Sequence, residues 1–252
     1  MKLLRVAAAA LNQTPLDWQG NSRRILQAME QAREEGVNLL CLPELCISGY
    51  GCEDAFLATH VAETALEILS TQLLPASRGM AVSVGLPLRF RRSLFRWFRA
   101  WPEGKQAEVE VDGQAKPIGD IFFDLNGLRV GFEICEDAWA TDRPGGDLAG
   151  KGVDILLNPS ASHFAFGKHE VRQRLVLEGS RAFGVTYVYA NLLGNESGRA
   201  IYDGGALIAA SGKLLACGPR FSYQDVIVTH AVVDLDEIRN QQAGNAGADA
   251  GF

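Results

Sequence analysis

Leu128-Arg129-Val130-Gly131-Phe132-Glu133-Ile134-Cys135, followed at once by Glu136-Asp137-Ala138-Trp139, is the stretch on which the reading of this chain turns. Apolar residues at 128, 130, 132 and 134 put one face of a strand into a core, and Gly131 lets a neighbour approach closely. The thiol of Cys135 is thereby delivered to the C-terminal edge of a strand, where open α/β sheets place their sites. A cysteine held there is a candidate nucleophile when a base and a charge stabiliser stand nearby. Taken alone it reads more readily as a structural thiol, since free cysteine is among the most buried residue types.

Working outward, residues 37–42 (Val-Asn-Leu-Leu-Cys-Leu) form a second buried strand that runs into Pro43-Glu44-Leu45-Cys46-Ile47-Ser48-Gly49-Tyr50. Glu44 therefore also sits at a strand's end, just after a proline that cannot donate to a sheet ladder. A carboxylate among apolar neighbours has its charged form disfavoured, which suits it to take a proton from a thiol. An isolated Glu would instead read as a surface-loop acid.

The remaining chain alternates strands and helices. Leu3 to Ala10 reads as a buried strand, and Asn21 can cap a helix carrying Ile25, Leu26, Met29 and Ala32, closed by Gly36. A second helix over 55–74 leads to a strand over 80–88. Asn126-Gly127 is a two-residue turn signal joining 122–124 to 128–134. Residues 155–158 and 185–189 read as strands around a helix over 168–183, and 205–209 pairs with 214–217 across Ser211-Gly212.

A chain of 252 residues, 47% hydrophobic and 21% charged, fits one globular core, so one domain over 1–240 is expected, with a small-residue tail over 241–252 expected to be disordered. A net charge of −6 argues against a general nucleic-acid binder. Arg89, Arg91, Arg92, Arg96 and Arg99 do interleave with Phe90, Phe95, Trp97 and Phe98, a pattern that in isolation suits base stacking but reads here as a packed connection with solvated arginines. The apolar stretches fall short of a membrane span and no signal core opens the chain, so a cytoplasmic protein that neither spans nor binds a membrane is expected. Five cysteines, at 41, 46, 52, 135 and 217, form no Cys-x-x-Cys pair, which argues against a metal and for reduced thiols; no cofactor is expected.

Four stretches in this order resemble the nitrilase, or carbon–nitrogen hydrolase, superfamily, and within it the glutaminase domain of glutamine-dependent NAD synthetase. They are Leu11-Asn12-Gln13-Thr14, the run from Leu42 to Asp54, the run from Phe132 to Trp139, and Asn158-Pro159-Ser160-Ala161-Ser162-His163-Phe164. The resemblance implies an α/β fold, a four-layer α-β-β-α sandwich that self-associates. It also implies a Glu-Lys-Cys triad, in which Glu44 moves protons and Cys135 attacks a carboxamide. Glu136, Ser162 and Lys168 match the positions that bind glutamine, whose ammonium suits a carboxylate and whose carboxylate suits a cation and a hydroxyl.

The lysine of the triad has no counterpart. Val84-Gly85-Leu86-Pro87 runs through Leu88 to Arg92 directly into Ser93-Leu94-Phe95-Arg96-Trp97-Phe98, with Ser93-Leu94 where the family has Tyr-Glu, so the hairpin bearing the lysine is read as deleted. Lys105 and Lys116 fall on a charged loop that nothing places beside Cys135, and Arg91 or Arg92 would be a poor proton donor. Two readings stand: a glutamine amidohydrolase that supplies ammonia to a separate NAD synthetase domain, or an inactive homologue that binds a ligand or a partner subunit. No Ser-Gly-Gly phosphate loop occurs, so the chain is not expected to make NAD by itself.

Overall fold

The structure is a computed structural model that describes residues 1–90, 93–94, 105–111, 113–196 and 198–249. In chain order its first half holds β1 (Leu3–Leu11), α1 (Trp18–Glu34), β2 (Leu39–Cys41), α2 (Thr59–Ile68), α3 (Leu74–Ala76), β3 (Ala81–Ser83), β4 (Arg89–Phe90), β5 (Ser93–Leu94), β6 (Gln106–Val111) and β7 (Gln114–Gly119). The second half holds β8 (Phe123–Leu125), β9 (Leu128–Phe132), α4 (Pro144–Gly150), β10 (Ile155–Ser160), α5 (Lys168–Ala182), β11 (Thr186–Asn191), β12 (Leu193–Glu196), β13 (Ala200–Asp203), β14 (Leu207–Ala210), β15 (Lys213–Cys217), β16 (Val226–Asp234) and α6 (Leu235–Asp249).

Two sheets face each other, one ordered β16-β1-β2-β3 and the other β15-β14-β11-β10-β9-β8. The central pairs β1–β2, β2–β3, β9–β10 and β10–β11 are parallel. Such strands are buried on both faces, which is why they read as continuous apolar runs. Along β1, Val6 and Ala8 pack between the sheets against Val130, Ile155, Leu157 and Val188. Ala7, Ala9 and Leu11 point the other way, to Ile25, Met29 and Ala65 of the helices. On the far side of the second sheet, Leu156, Tyr187 and Leu207 pack against Leu148 of α4 and Val176 of α5. The result is the four-layer α-β-β-α sandwich expected from the sequence.

Several boundaries differ from expectation. Asp17, not Asn21, caps α1, its Oδ1 accepting from Gly20 N at 3.0 Å. Asn21 lies buried inside the first turns, where its Nδ2 donates to Thr14 O at 2.8 Å and Ile47 O at 3.1 Å and so ties the Glu44 loop to the helix. The strand expected over 80–88 stops at Ser83, because the chain beyond it leaves the ladder to support that same loop, Gly85 O accepting from Ile47 N at 3.2 Å. The stretch read as a charged loop around Lys105 and Lys116 contains an antiparallel hairpin, β6 with β7, turned at Gly113 with φ of 70°. Residues 241–249 continue α6, where Gln242 Nε2 donates to Val153 O at 2.7 Å and Ser211 Oγ bonds Gln241, anchors that composition does not reveal. Arg91, Arg92, Phe95, Arg96, Trp97, Phe98 and Arg99 lie outside the described residues.

Candidate active site

Cys135 and Glu44 come from different sheets. Strand β9 ends at Phe132, and Cys135 opens a 3-10 turn over Cys135–Trp139 with a left-handed φ of 47°. A side chain in that region costs on the order of 1 kcal/mol, and such conformations gather where a side chain has to be aimed. The turn is closed by Asp137, whose Oδ2 accepts from Ile134 N at 2.9 Å. Glu44 follows β2 through Pro43, and the next residue, Leu45, is also left-handed at 49°. Gly85 presses on this loop so closely that a Cβ there would stand 2.4 Å from Leu45 N. Gln13 Nε2 supports the same loop by donating to Cys46 O at 2.6 Å.

The two side chains lie close enough that each shifts the ionisation of the other, and the Ala161 backbone N–H favours the charged form of both. Burial raises Glu44 to about 7, a rise that the bonds from Cys135 and Ala161 restrain and that the charges of Asp137 and Glu136 reinforce. Burial pushes the Cys135 thiol up to about 12, and the negative Glu44 adds to the rise. Cys135 therefore holds its proton at rest, and Glu44 is poised near neutrality to receive it.

Of the predicted substrate residues, Glu136 and Lys168 interact electrostatically with this pair. Glu136 is exposed at the mouth. Lys168, first residue of α5, stands with Nζ 5.7 Å from the centroid of the Trp139 ring. Desolvation and Arg172 lower the Lys168 pKa while the Cys135 charge opposes them, so its ammonium senses the nucleophile. Ser162 is buried, its N donating to Asn191 Oδ1 at 2.8 Å. Lys116 is remote in character, exposed and bonded to Gln114 at 2.7 Å.

Two buried ionic centres escaped the sequence reading. Arg172 donates from Nη2 to Ser162 O and His163 O, both at 2.9 Å, and from Nε to Ser162 Oγ at 3.3 Å. Its charge is met by Asp203 at 2.7 Å, which also pairs with Arg220. Glu133, fully buried, pairs with Arg143 at 2.7 Å. Its placement on the apolar strand before Cys135 was the available signal. Among the described residues no cluster of His, Cys, Asp and Glu forms a metal site, and no helix is long and apolar enough to cross a membrane.

Comparison with known proteins fits this geometry. The carbon-nitrogen hydrolase family matches residues 5–91 and 88–242, and the chain belongs to that family. It is 32% identical over 277 residues to the glutamine-dependent NAD(+) synthetase of Mus musculus, covering 94% of this chain and 38% of that protein. The enzyme of the same name from Oryza sativa subsp. indica is 34% identical over 283 residues, covering 96% of this chain and 38% of its own. The chain thus spans about two fifths of the length of these curated relatives. Among solved structures, a glutamine-dependent NAD(+) synthetase from Cytophaga hutchinsonii superposes with a TM-score of 0.84 at 41% identity, over 92% of this chain and 43% of that one. An amidase from Nesterenkonia sp. shares the fold, with a TM-score of 0.72 at 21% identity over 97% of this chain and 95% of its own.

Proposed function

We propose that this chain is a glutamine amidohydrolase of the kind attached to NAD synthetase, working through a thioester on Cys135. The observation that carries the reading is the approach of the Cys135 thiol and the Glu44 carboxyl to each other in one buried site, where burial raises Glu44 to about 7. Glu44 takes the thiol proton as sulfur attacks the carboxamide carbon, then gives it to the departing nitrogen so that ammonia leaves and a thioester remains. Water, deprotonated by Glu44, attacks the thioester carbonyl, and Glu44 returns that proton to the leaving Cys135 sulfur as glutamate is released. Glu136 receives the substrate ammonium, while Lys168 and Ser162 receive its carboxylate. The ammonia would pass to a separate NAD synthetase domain. Five free cysteines suit a reducing, cytoplasmic setting.

With the family lysine read as deleted, the tetrahedral oxyanion would go without the cation that this lysine supplies. Two observations support a missing hairpin: the family match falls into two segments that meet at 88–91, and the alignment to the mouse relative, at 277 residues, is longer than the 252-residue chain. Loss of one preorganised donor lowers turnover by ~10²–10³. The same observations favour a second reading, an inactive homologue that binds a ligand or partner subunit.

Ammonia release from glutamine tests both. Turnover should be weak or undetectable in the unmodified chain, restored by grafting the family's lysine-bearing hairpin between Pro87 and Arg96, and abolished in that graft by Cys135→Ala. A correctly folded graft without turnover favours the second reading, and strong activity that survives Cys135→Ala overturns the mechanism.

A further inference from the structure

Behind Ser162 lies a buried ion cluster that the chemistry above does not use. Arg172 is 2% exposed and follows Lys168 by four residues, so the two share one face of α5. Lys168 reaches from that face to Trp139, on the turn that Cys135 opens. The Arg172 guanidinium spans Ser162 from behind, with Nη2 on the carbonyls of Ser162 and His163 and Nε on Ser162 Oγ at 3.3 Å. Asn191 grips the same residue from the other side, Oδ1 accepting from Ser162 N at 2.8 Å and Nδ2 donating to Ser162 O and Gly204 O, both at 3.1 Å. A guanidinium can only donate, so Ser162 Oγ meets Arg172 with a lone pair and keeps its own proton for another acceptor. The cluster is also unbalanced. One carboxylate, Asp203, takes Arg172 Nη1 at 2.7 Å and Arg220 Nε at 2.9 Å, so two positive charges share one negative charge. Burial and the nearby cations push His163 and His169 below the usual histidine range.

We propose that Arg172 sets the site's selectivity for ligands with a carboxylate on the α-carbon, by occupying the lone pair of Ser162 Oγ from behind and committing the hydroxyl proton to that carboxylate. The surplus positive charge of the cluster acts in the same direction, since it favours an anion in front of Ser162 and beside Lys168. A neutral carboxamide without the anion gains neither effect. Arg172 is a positioning residue that acts through Ser162, and Asp203 holds the guanidinium in place. The inference rests on the reading of Ser162 and Lys168 as the residues that receive the substrate carboxylate, and it does not depend on turnover.

The test is the rate at which two reagents capture Cys135 in the full chain, resolved from the other four thiols by peptide mass spectrometry. One is a glutamine analogue with a chloromethyl ketone in place of the side-chain carboxamide; sulfur displaces chloride and the thiol proton passes to Glu44. The other is the same molecule with its α-carboxylate converted to a neutral carboxamide. Both meet the same thiol, so the ratio of the two rates cancels any change in Cys135 and reports on the carboxylate alone. The parent should prefer the carboxylate reagent by about tenfold or more, the scale of one hydrogen bond to a charged group, and Ser162→Ala should lose most of that preference. Arg172→Met leaves Asp203 paired with Arg220 and should lower the ratio as far, with no further loss in the double variant. If Arg172→Met slows both reagents alike and keeps the parent's ratio, the inference is overturned while Ser162 and Lys168 stand as carboxylate residues. A parent ratio of one instead removes that reading, and the inference with it. Tyr189 is the other buried hydroxyl that bears on Ser162, and Tyr189→Phe should leave the ratio unchanged. A rise there would show that Ser162 gives its proton to Tyr189, against the proposal. Arg172→Lys keeps a charge for Asp203 but lacks the fork, so it should lower the ratio too, and it decides the question if thermal melts show Arg172→Met unfolded.

Discussion

At the scale of single residues, Glu44 couples chemistry to stability. Its carboxyl is raised to about 7 in the fold, above the range of an exposed glutamate, so between those values the folded state holds a proton that the unfolded state has lost. Stability therefore falls as pH rises through that window, and the charged form carries the cost above it. Glu44→Gln is expected to raise the melting temperature at pH 8 by the equivalent of roughly 2 kcal/mol, a gain that disappears near pH 5. Calorimetry at the two pH values checks this, and an equal gain at both would show that the charge is not the cause. Glu44 and Cys135 were legible in the sequence because each follows an apolar run that ends abruptly, and a reactive group at a strand's end has few bland explanations. Glu133 and Arg172 were not, because a charged residue on a strand or helix reads as solvent-facing unless its partner is known, and the partners Arg143 and Asp203 lie 10 and 31 residues away.

Among the elements, the loop carrying Glu44 depends on a backbone contact that only glycine permits. A Cβ on Gly85 would come within 2.4 Å of Leu45 N and 2.8 Å of Pro43 O, and backbone cannot swing aside as a side chain can. Gly85→Ala is expected to cost on the order of 2 kcal/mol by overpacking. The displaced loop should also slow Cys135 alkylation. Urea unfolding gives the first number, with Gly150→Ala as the contrast: that exposed site at the end of α4 has open space around it and should change little or gain a few tenths of a kcal/mol. A Gly85→Ala protein as stable as the parent would contradict the contact. The same loop shows why β3 was misjudged from its sequence. Val84, Leu86 and Leu88 extend the apolar run of β3, but Gly85 and Pro87 break it, and the Gly85 carbonyl bonds to the loop instead of a ladder. The helix over 241–249 was hidden for a related reason, since its anchors are two glutamines rather than an apolar stripe.

Over the whole molecule, self-association is expected through surfaces flanking the site. Phe164 packs edge-on against Phe166 and Phe221, with centroids 5.4 Å and 5.1 Å apart, while Phe166 is 96% exposed and Phe221 51%. An apolar cluster so open is a contact surface more often than a solvated one. Light scattering should show dimers or larger species, reduced by Phe166→Asp, and a monomer at all concentrations would dismiss the idea. The layered body itself was readable from the sequence because doubly buried strands leave long apolar runs, whereas nothing in a sequence says which two strand ends will face each other across the sandwich. That arrangement sets how the protein fails. Glu44 follows a strand of one sheet and Cys135 a strand of the other, so their approach spans a seam, and a slip of one layer over the other parts them while every helix and strand survives. On gentle heating, Cys135 should lose its distinctive reactivity before circular dichroism registers any loss of structure, making this thiol an early warning of the protein's ageing.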